Sequence, residues 1–83
     1  MKDHLPLIHA LIDAALLLES AGPEEINPDR AVRGLENIAS SLLVLDKADQ
    51  KALRRHLLEI ADAARDEAYG KFVRSMPDML GLA

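Results

Sequence analysis

The chain must build its core without cysteine and with only two aromatic residues, Tyr69 and Phe72, among 83. Disulfides and thiolate metal sites are excluded at once. Hydrophobic residues still make up 49% of the sequence, so the filling is Leu, Ile, Val and Ala. Leu and Ala are strong helix formers, and the β-branched and aromatic residues that favour strands are sparse. The composition therefore predicts an all-α fold. A chain of this length is one domain, residues 1–83, and buries only about 60–65% of its unfolded surface. Without disulfides its stability rests on regular helix packing or on a partner.

Periodicity and capping residues divide the chain into three main helices, at about 5–20, 28–45 and 47–75, in a small antiparallel bundle with a short apolar C-terminal tail. The first opens with Asp3 as a cap candidate and Pro6 in the first turn, where a missing N–H costs nothing. Two apolar stripes run along it. Leu5, Ile8, Ile12, Ala15 and Leu16 form one, whose spacing Glu19 continues, and Leu7, Leu11, Ala14 and Leu18 the other. Two stripes mean burial on more than one side, either by two neighbouring helices or by a second chain. Gly22-Pro23 is expected to end the helix, with Gly22 in the left-handed cap.

Asn27-Pro28-Asp29 is the strongest local signal. It reads as an N-cap, a proline at the first helical position and an acid on the positive end of the helix dipole. The helix it opens carries Ala31 or Val32, Leu35, Ile38, Ala39, Leu42 and Leu45 on its apolar face. Gly34 within it implies close approach of a neighbouring helix. Asp46 caps the third helix, whose apolar positions run Leu53, Leu57, Ile60, Ala61, Ala64, Ala68 and Phe72. The same pattern reaches Met76, so this helix is expected to pass unbroken through Gly70 and to close at Pro77. The tail Met79-Leu80-Gly81-Leu82 either folds back or offers a hydrophobic handle to another chain.

Charge is unevenly placed. Residues 1–46 hold three basic and eight acidic side chains, residues 47–76 seven and five, and the whole chain has a net charge of −4. The acidic concentration at Glu19, Glu24, Glu25 and Asp29 points to a basic partner, since charge complementarity speeds encounter and improves selectivity. Nucleic acid does not fit: the basic residues are interleaved with acids, stacking aromatics are missing and the net field repels phosphate. Membrane insertion does not fit either. Leu5–Leu18 is too short to span a bilayer and is interrupted by His9 and Asp13, and no signal-peptide cleavage pattern follows it. The compartment expected by default is the bacterial cytoplasm.

Motifs for chemistry are missing. No Glu stands three residues before a histidine, as a helical di-metal carboxylate site requires; His56 precedes Glu59 in the reverse order. His9 and Asp13, one turn apart, could hold half a zinc site, with His4 as a further ligand. Ser20, Ser40, Ser41 and Ser75 lack any context that suggests an aligned base. There is no glycine-rich phosphate loop. No enzyme, cofactor or metal is expected.

From Leu18 to about Leu58 the chain resembles small bacterial all-helical proteins with an acidic turn, a Pro-Asp-x-Ala-Val helix start and a Leu-Glu-x-Ile-Ala core. The residues that carry this are Leu18, Glu19, Pro28, Asp29, Ala31, Val32, Leu35, Glu36, Ile38 and Ala39. The resemblance covers about half the chain. It implies a helical fold and brings no activity with it. The acidic turn is thinner here, with Ala21-Gly22-Pro23 where more acids would be expected.

These features lead to a non-catalytic protein-interaction module, of the kind exemplified by toxin-neutralising immunity or antitoxin factors. Its binding residues would be Glu19, Glu24, Glu25 and Asp29 with Leu7, Leu11 and Leu18. Two rivals stand beside it. One is a self-assembling homodimer with helix one at a two-fold interface; the other is a small metal-binding helical protein using His9, Asp13 and His4.

Overall fold

The computed structural model describes residues 4–83; the expected cap at Asp3 lies outside them. These residues form four helices: α1 (Leu5–Ser20), α2 (Pro28–Leu42), α3 (Lys47–Ala63) and α4 (Glu67–Met79). The all-helical class holds, but with four helices in place of three. Residue contacts divide the chain into two compact units, 1–37 and 38–83, with the boundary inside α2.

In the first unit α1 has the span its periodicity predicts, with proline in its first turn. Of its two stripes the buried one is Ile8, Ile12 and Ala15. The helix does not end on a left-handed glycine. Its C-cap is Ala21 in an extended conformation (φ −65°, ψ 134°), and among the described residues Gly81 is the only one with positive φ. Gly22 has a different use. Its carbonyl accepts from the N–H groups of Glu25 and Ile26 (2.9 and 3.1 Å), and its own N–H donates to Glu25 Oε1 (3.2 Å). A carboxylate reaching back three residues to an amide is half of a capping box, here closing a single turn.

Asn27 caps α2 as expected, its Oδ1 accepting from the Asp29 N–H at 2.9 Å. Gly34 faces Leu18 of α1: a Cβ built on it would lie 3.0 Å from Leu18 Cδ1. The expected close approach is therefore real, and glycine makes room for it. Of α2's apolar face only Ala31 is buried. Leu35, Ile38, Ala39 and Leu42 are half-buried, and Val32 is exposed.

The second unit departs most from expectation. α2 stops at Leu42, short of the predicted 43–45, and Leu45 lies exposed in a turn and not on the helix face. Gln50 explains where the helix unwinds. Its side chain is buried, and its Nε2 donates to Leu45 O (2.9 Å) and lies 3.5 Å from Leu43 O. Carbonyls in the turn that follows a helix have no ladder partner, and this amide from the next helix supplies one. Asp46 then caps α3 by accepting from the Asp49 N–H at 2.8 Å.

The predicted helix 47–75 is broken in two. Ala64 is extended (ψ 131°), and Asp66 opens α4 as an N-cap whose carboxylate accepts from the Tyr69 N–H at 2.9 Å. Gly70 lies within α4, so the backbone is indeed helical through it; the interruption comes earlier. Beyond Ala63 the apolar residues would have travelled about 1.5 Å per residue away from their neighbours in a continuous helix. Folding back instead brings α4 against α3. The contacts pair early with late positions: Gly70 with Ala61 and Ala64, Arg74 with Asp62, Asp78 with Arg54. This is an antiparallel αα-hairpin whose buried positions include Leu57, Ala61, Gly70, Val73 and Met76.

Nor does Pro77 close the last helix, which continues through it to Met79. The stop is a Schellman motif. Leu82 N–H donates to Pro77 O (2.9 Å), Gly81 N–H donates to Asp78 O (3.2 Å), and Gly81 takes φ +71°. The accompanying apolar contact of such motifs joins these two ends, and Leu82 and Pro77 are both buried. Of the two fates expected for the tail, this decides for folding back. Leu80 is also buried, and Ala83 N–H donates to Gln50 Oε1 at 3.2 Å. Among the described residues no helix is long and apolar enough to cross a membrane.

Candidate functional site

The residues expected to bind a partner all fall in the first unit, on α1, the turn after it and the start of α2. Leu7 is 60% exposed; Leu11 and Leu18 are half-buried and Ala14 is exposed. The 3.6-residue period places all four on one flank of α1, adjacent to the buried Ile8, Ile12 and Ala15 stripe. The flank is thus open at its N-terminal half. At the other end Leu18 is already committed to the contact with Gly34. Leu5 and Leu17, which lie outside that flank, are 52% and 58% exposed.

Glu19, Glu24, Glu25 and Asp29 are all exposed, and among the described residues none of them forms an ion pair. Their local duties differ. Glu25 is spent on the Gly22 amide, and Asp29 stands in the first turn of α2, where its charge offsets the helix dipole. Glu19 and Glu24 have no such structural task and are the carboxylates most open to a cationic partner.

The histidine and carboxylate residues weighed as metal ligands do not converge. His9 and Asp13 are exposed one turn apart on α1. His4 is the N-cap residue of that helix and makes no side-chain capping bond. Among the described residues no three His, Asp or Glu side chains lie close enough to share an ion. His56, half-buried, and Glu59, exposed, approach to 3.9 Å on α3.

The second unit adds a surface that reading by periodicity missed. Leu43, Val44 and Leu45 stand exposed in succession, by 48%, 86% and 39%. Three consecutive apolar residues cannot share one face of a helix, so a turn with uncovered side chains was the signal. Gln50 holds this turn, and all its buried polar atoms have partners. On the N-terminal half of α3, Lys47, Lys51, Arg54 and Arg55 recur at intervals that stack them on one face. Arg54 pairs with Asp78 at 3.5 Å; among the described residues Lys47, Lys51 and Arg55 pair with no acid. Asp46 is occupied with its capping bond, and Asp49 falls on the opposite side of the helix by period.

Comparison of the chain with protein-family models, with curated proteins and with solved structures finds no match.

Proposed function

We propose that this chain is a non-catalytic protein-interaction module that binds its partner through the open flank of α1 and the acidic residues following it, in the manner of an immunity or antitoxin factor. The observation that carries the reading is the exposure of Leu7, 60% accessible, on a helix flank of otherwise apolar residues. In a chain this small, apolar surface left in water is lost stability, at about 25 cal/mol per Å². Covering it with a partner recovers that energy. Glu19 and Glu24, exposed and structurally unengaged, put negative charge at the C-terminal end of α1 and in the turn after it, where it favours a partner with Lys or Arg.

Leu7→Lys and Glu24→Lys change exposed positions and are expected to leave the fold intact, so they separate binding from stability. The wild-type chain is expected to retain a specific protein from a lysate of its source, with Leu7→Lys abolishing retention and Glu24→Lys weakening it. A folded monomer that recovers nothing specific, or retention indifferent to both changes, would overturn the reading.

A further inference from the structure

We propose that Leu80–Ala83 is a strap whose docking sets the order of the Leu43–Leu45 turn, with the Gln50 amide as the latch between them. The inference concerns the second unit alone and does not depend on the α1 reading.

Gln50 is the one buried polar side chain among the described residues. An amide in such surroundings is costly unless both of its ends are paired. Both are: Nε2 donates to Leu45 O at 2.9 Å, and Oε1 accepts from Ala83 N–H at 3.2 Å. The two atoms belong to one planar group, so the bond to Ala83 also aims the nitrogen at Leu45. If the Ala83 N–H departs, Oε1 becomes a buried acceptor without a partner. It regains one by turning toward water, and that movement withdraws Nε2 from the Leu45 carbonyl. The two bonds are thus made and lost together, as members of one network are.

What each segment has without the latch makes the coupling consequential. The strap's other backbone bonds are local to the end of α4: Leu80 N–H to Met76 O, Gly81 N–H to Asp78 O and Leu82 N–H to Pro77 O. Its apolar anchors are Leu80 and Leu82, both buried. The turn is held locally by Leu45 N–H to Leu42 O at 3.1 Å and by Val44 N–H to Ser41 O at 3.4 Å, the latter at the long limit for such a bond. Its side chains are exposed and add little packing. Coupling of this kind is reciprocal. Whatever draws Leu82–Ala83 from its docked position loosens the turn, and whatever unwinds the turn frees the strap and uncovers Leu80 and Leu82. One apolar segment is displayed and the other stored, and Gln50 links their states.

Hydrogen exchange on the full chain, followed residue by residue, tests this. Ala83→Pro removes only the N–H that the latch accepts, since proline has no amide hydrogen. It is expected to speed exchange at the Val44 and Leu45 amides about two- to tenfold, the worth of one hydrogen bond, and to leave Leu57 and Met76 unchanged. Leu82→Ser frees the strap by a different route and is expected to act on the same two amides. In a Gln50→Leu background the turn is already loose, so adding Ala83→Pro should change its exchange no further.

Turn amides that keep their wild-type rates in both Ala83→Pro and Leu82→Ser would overturn the proposal, because water would then be replacing the Ala83 N–H without disturbing Gln50. An acceleration spread evenly over α3 and α4 would overturn it as a loss of global stability. So would an effect of Ala83→Pro on the turn that persists undiminished in Gln50→Leu, or Val44 and Leu45 amides that are unprotected in the wild-type chain.

Discussion

At the residue scale, the two helical glycines look alike in sequence and differ in what surrounds them. At Gly34 an added Cβ would meet the methyl end of Leu18 at 3.0 Å. A half-buried leucine can turn its end aside, and alanine gains about 1 kcal/mol of helix propensity over glycine. Gly34→Ala is therefore expected to leave the melting temperature unchanged or raise it. At Gly70 the Cβ would meet the Ala61 carbonyl oxygen at 3.2 Å and Ala64 Cβ at 3.4 Å. Neither can swing away, so α4 must shift off α3. Gly70→Ala is expected to cost about 1–3 kcal/mol by overpacking, read as a lower midpoint in urea. A midpoint that rises would show that the hairpin is looser than this contact implies. Gly81 is a third case, with φ +71° and nothing within 4 Å of an added Cβ. Gly81→Ala meets no clash, and its expected loss of about 1–2 kcal/mol is purely the left-handed backbone penalty.

Helix starts and helix ends behave differently at the element scale. Asn27 and Asp46 were legible as caps because a short polar side chain and the amide it satisfies are two or three residues apart. Asp66 is of the same kind, accepting from Tyr69 N–H, yet the apolar spacing running across it hid it. Local propensity at Ala63-Ala64 favours continuing the helix, and burial of the α4 face in the hairpin outweighs it. Asp66→Ala is expected to cost about 1 kcal/mol, and hydrogen exchange should show the loss concentrated in the first turn of α4. The end of α2 depends on Gln50, eight residues beyond its last helical residue, and no local pattern announces that. Gln50→Leu would strand the Leu45 carbonyl and the Ala83 amide. The expected cost is about 1–3 kcal/mol, with faster exchange at Ala83 as its local signature. Unchanged exchange there would mean that this bond contributes nothing in solution.

For the whole molecule the open question is how 83 residues without a disulfide achieve stability. Its ion pairs contribute little. Arg74–Asp62 at 2.7 Å and Arg54–Asp78 at 3.5 Å are substantially exposed, and such pairs are worth about 0–1 kcal/mol. Among the described residues the largest fully buried side chains are Ile12, Leu57, Met76, Leu80, Val73 and Pro77. Leu57→Ala is accordingly expected to cost about 2–5 kcal/mol, near the limit a domain of this size tolerates. A chain that binds itself is stabilised by its own concentration, so under the self-assembling reading the melting temperature would rise with protein concentration. A melting temperature independent of concentration would count against self-association as a source of stability.

The sequence by itself determined the helical class, the span of α1, the start of α2 and the cap of α3. Each of these depends on residues within a turn or two of one another, through propensity, proline geometry or a capping bond. The close approach at Gly34 was also readable, because a glycine inside a helix is costly unless something needs the space. Tertiary structure alone decided the rest. The break at Ala64, the passage of α4 through Pro77 to its stop at Gly81, the burial of Leu80 and Leu82 and the exit of α2 at Gln50 all depend on partners far away in the chain. The candidate interaction surface divides in the same way. Charge and periodicity marked Glu19, Glu24 and Leu7, whereas Glu25 and Leu18 proved to be engaged inside the fold. The Leu43–Leu45 turn emerged only when the helix expected to bury Leu45 ended three residues early, since exposure is a property of what the rest of the chain leaves uncovered.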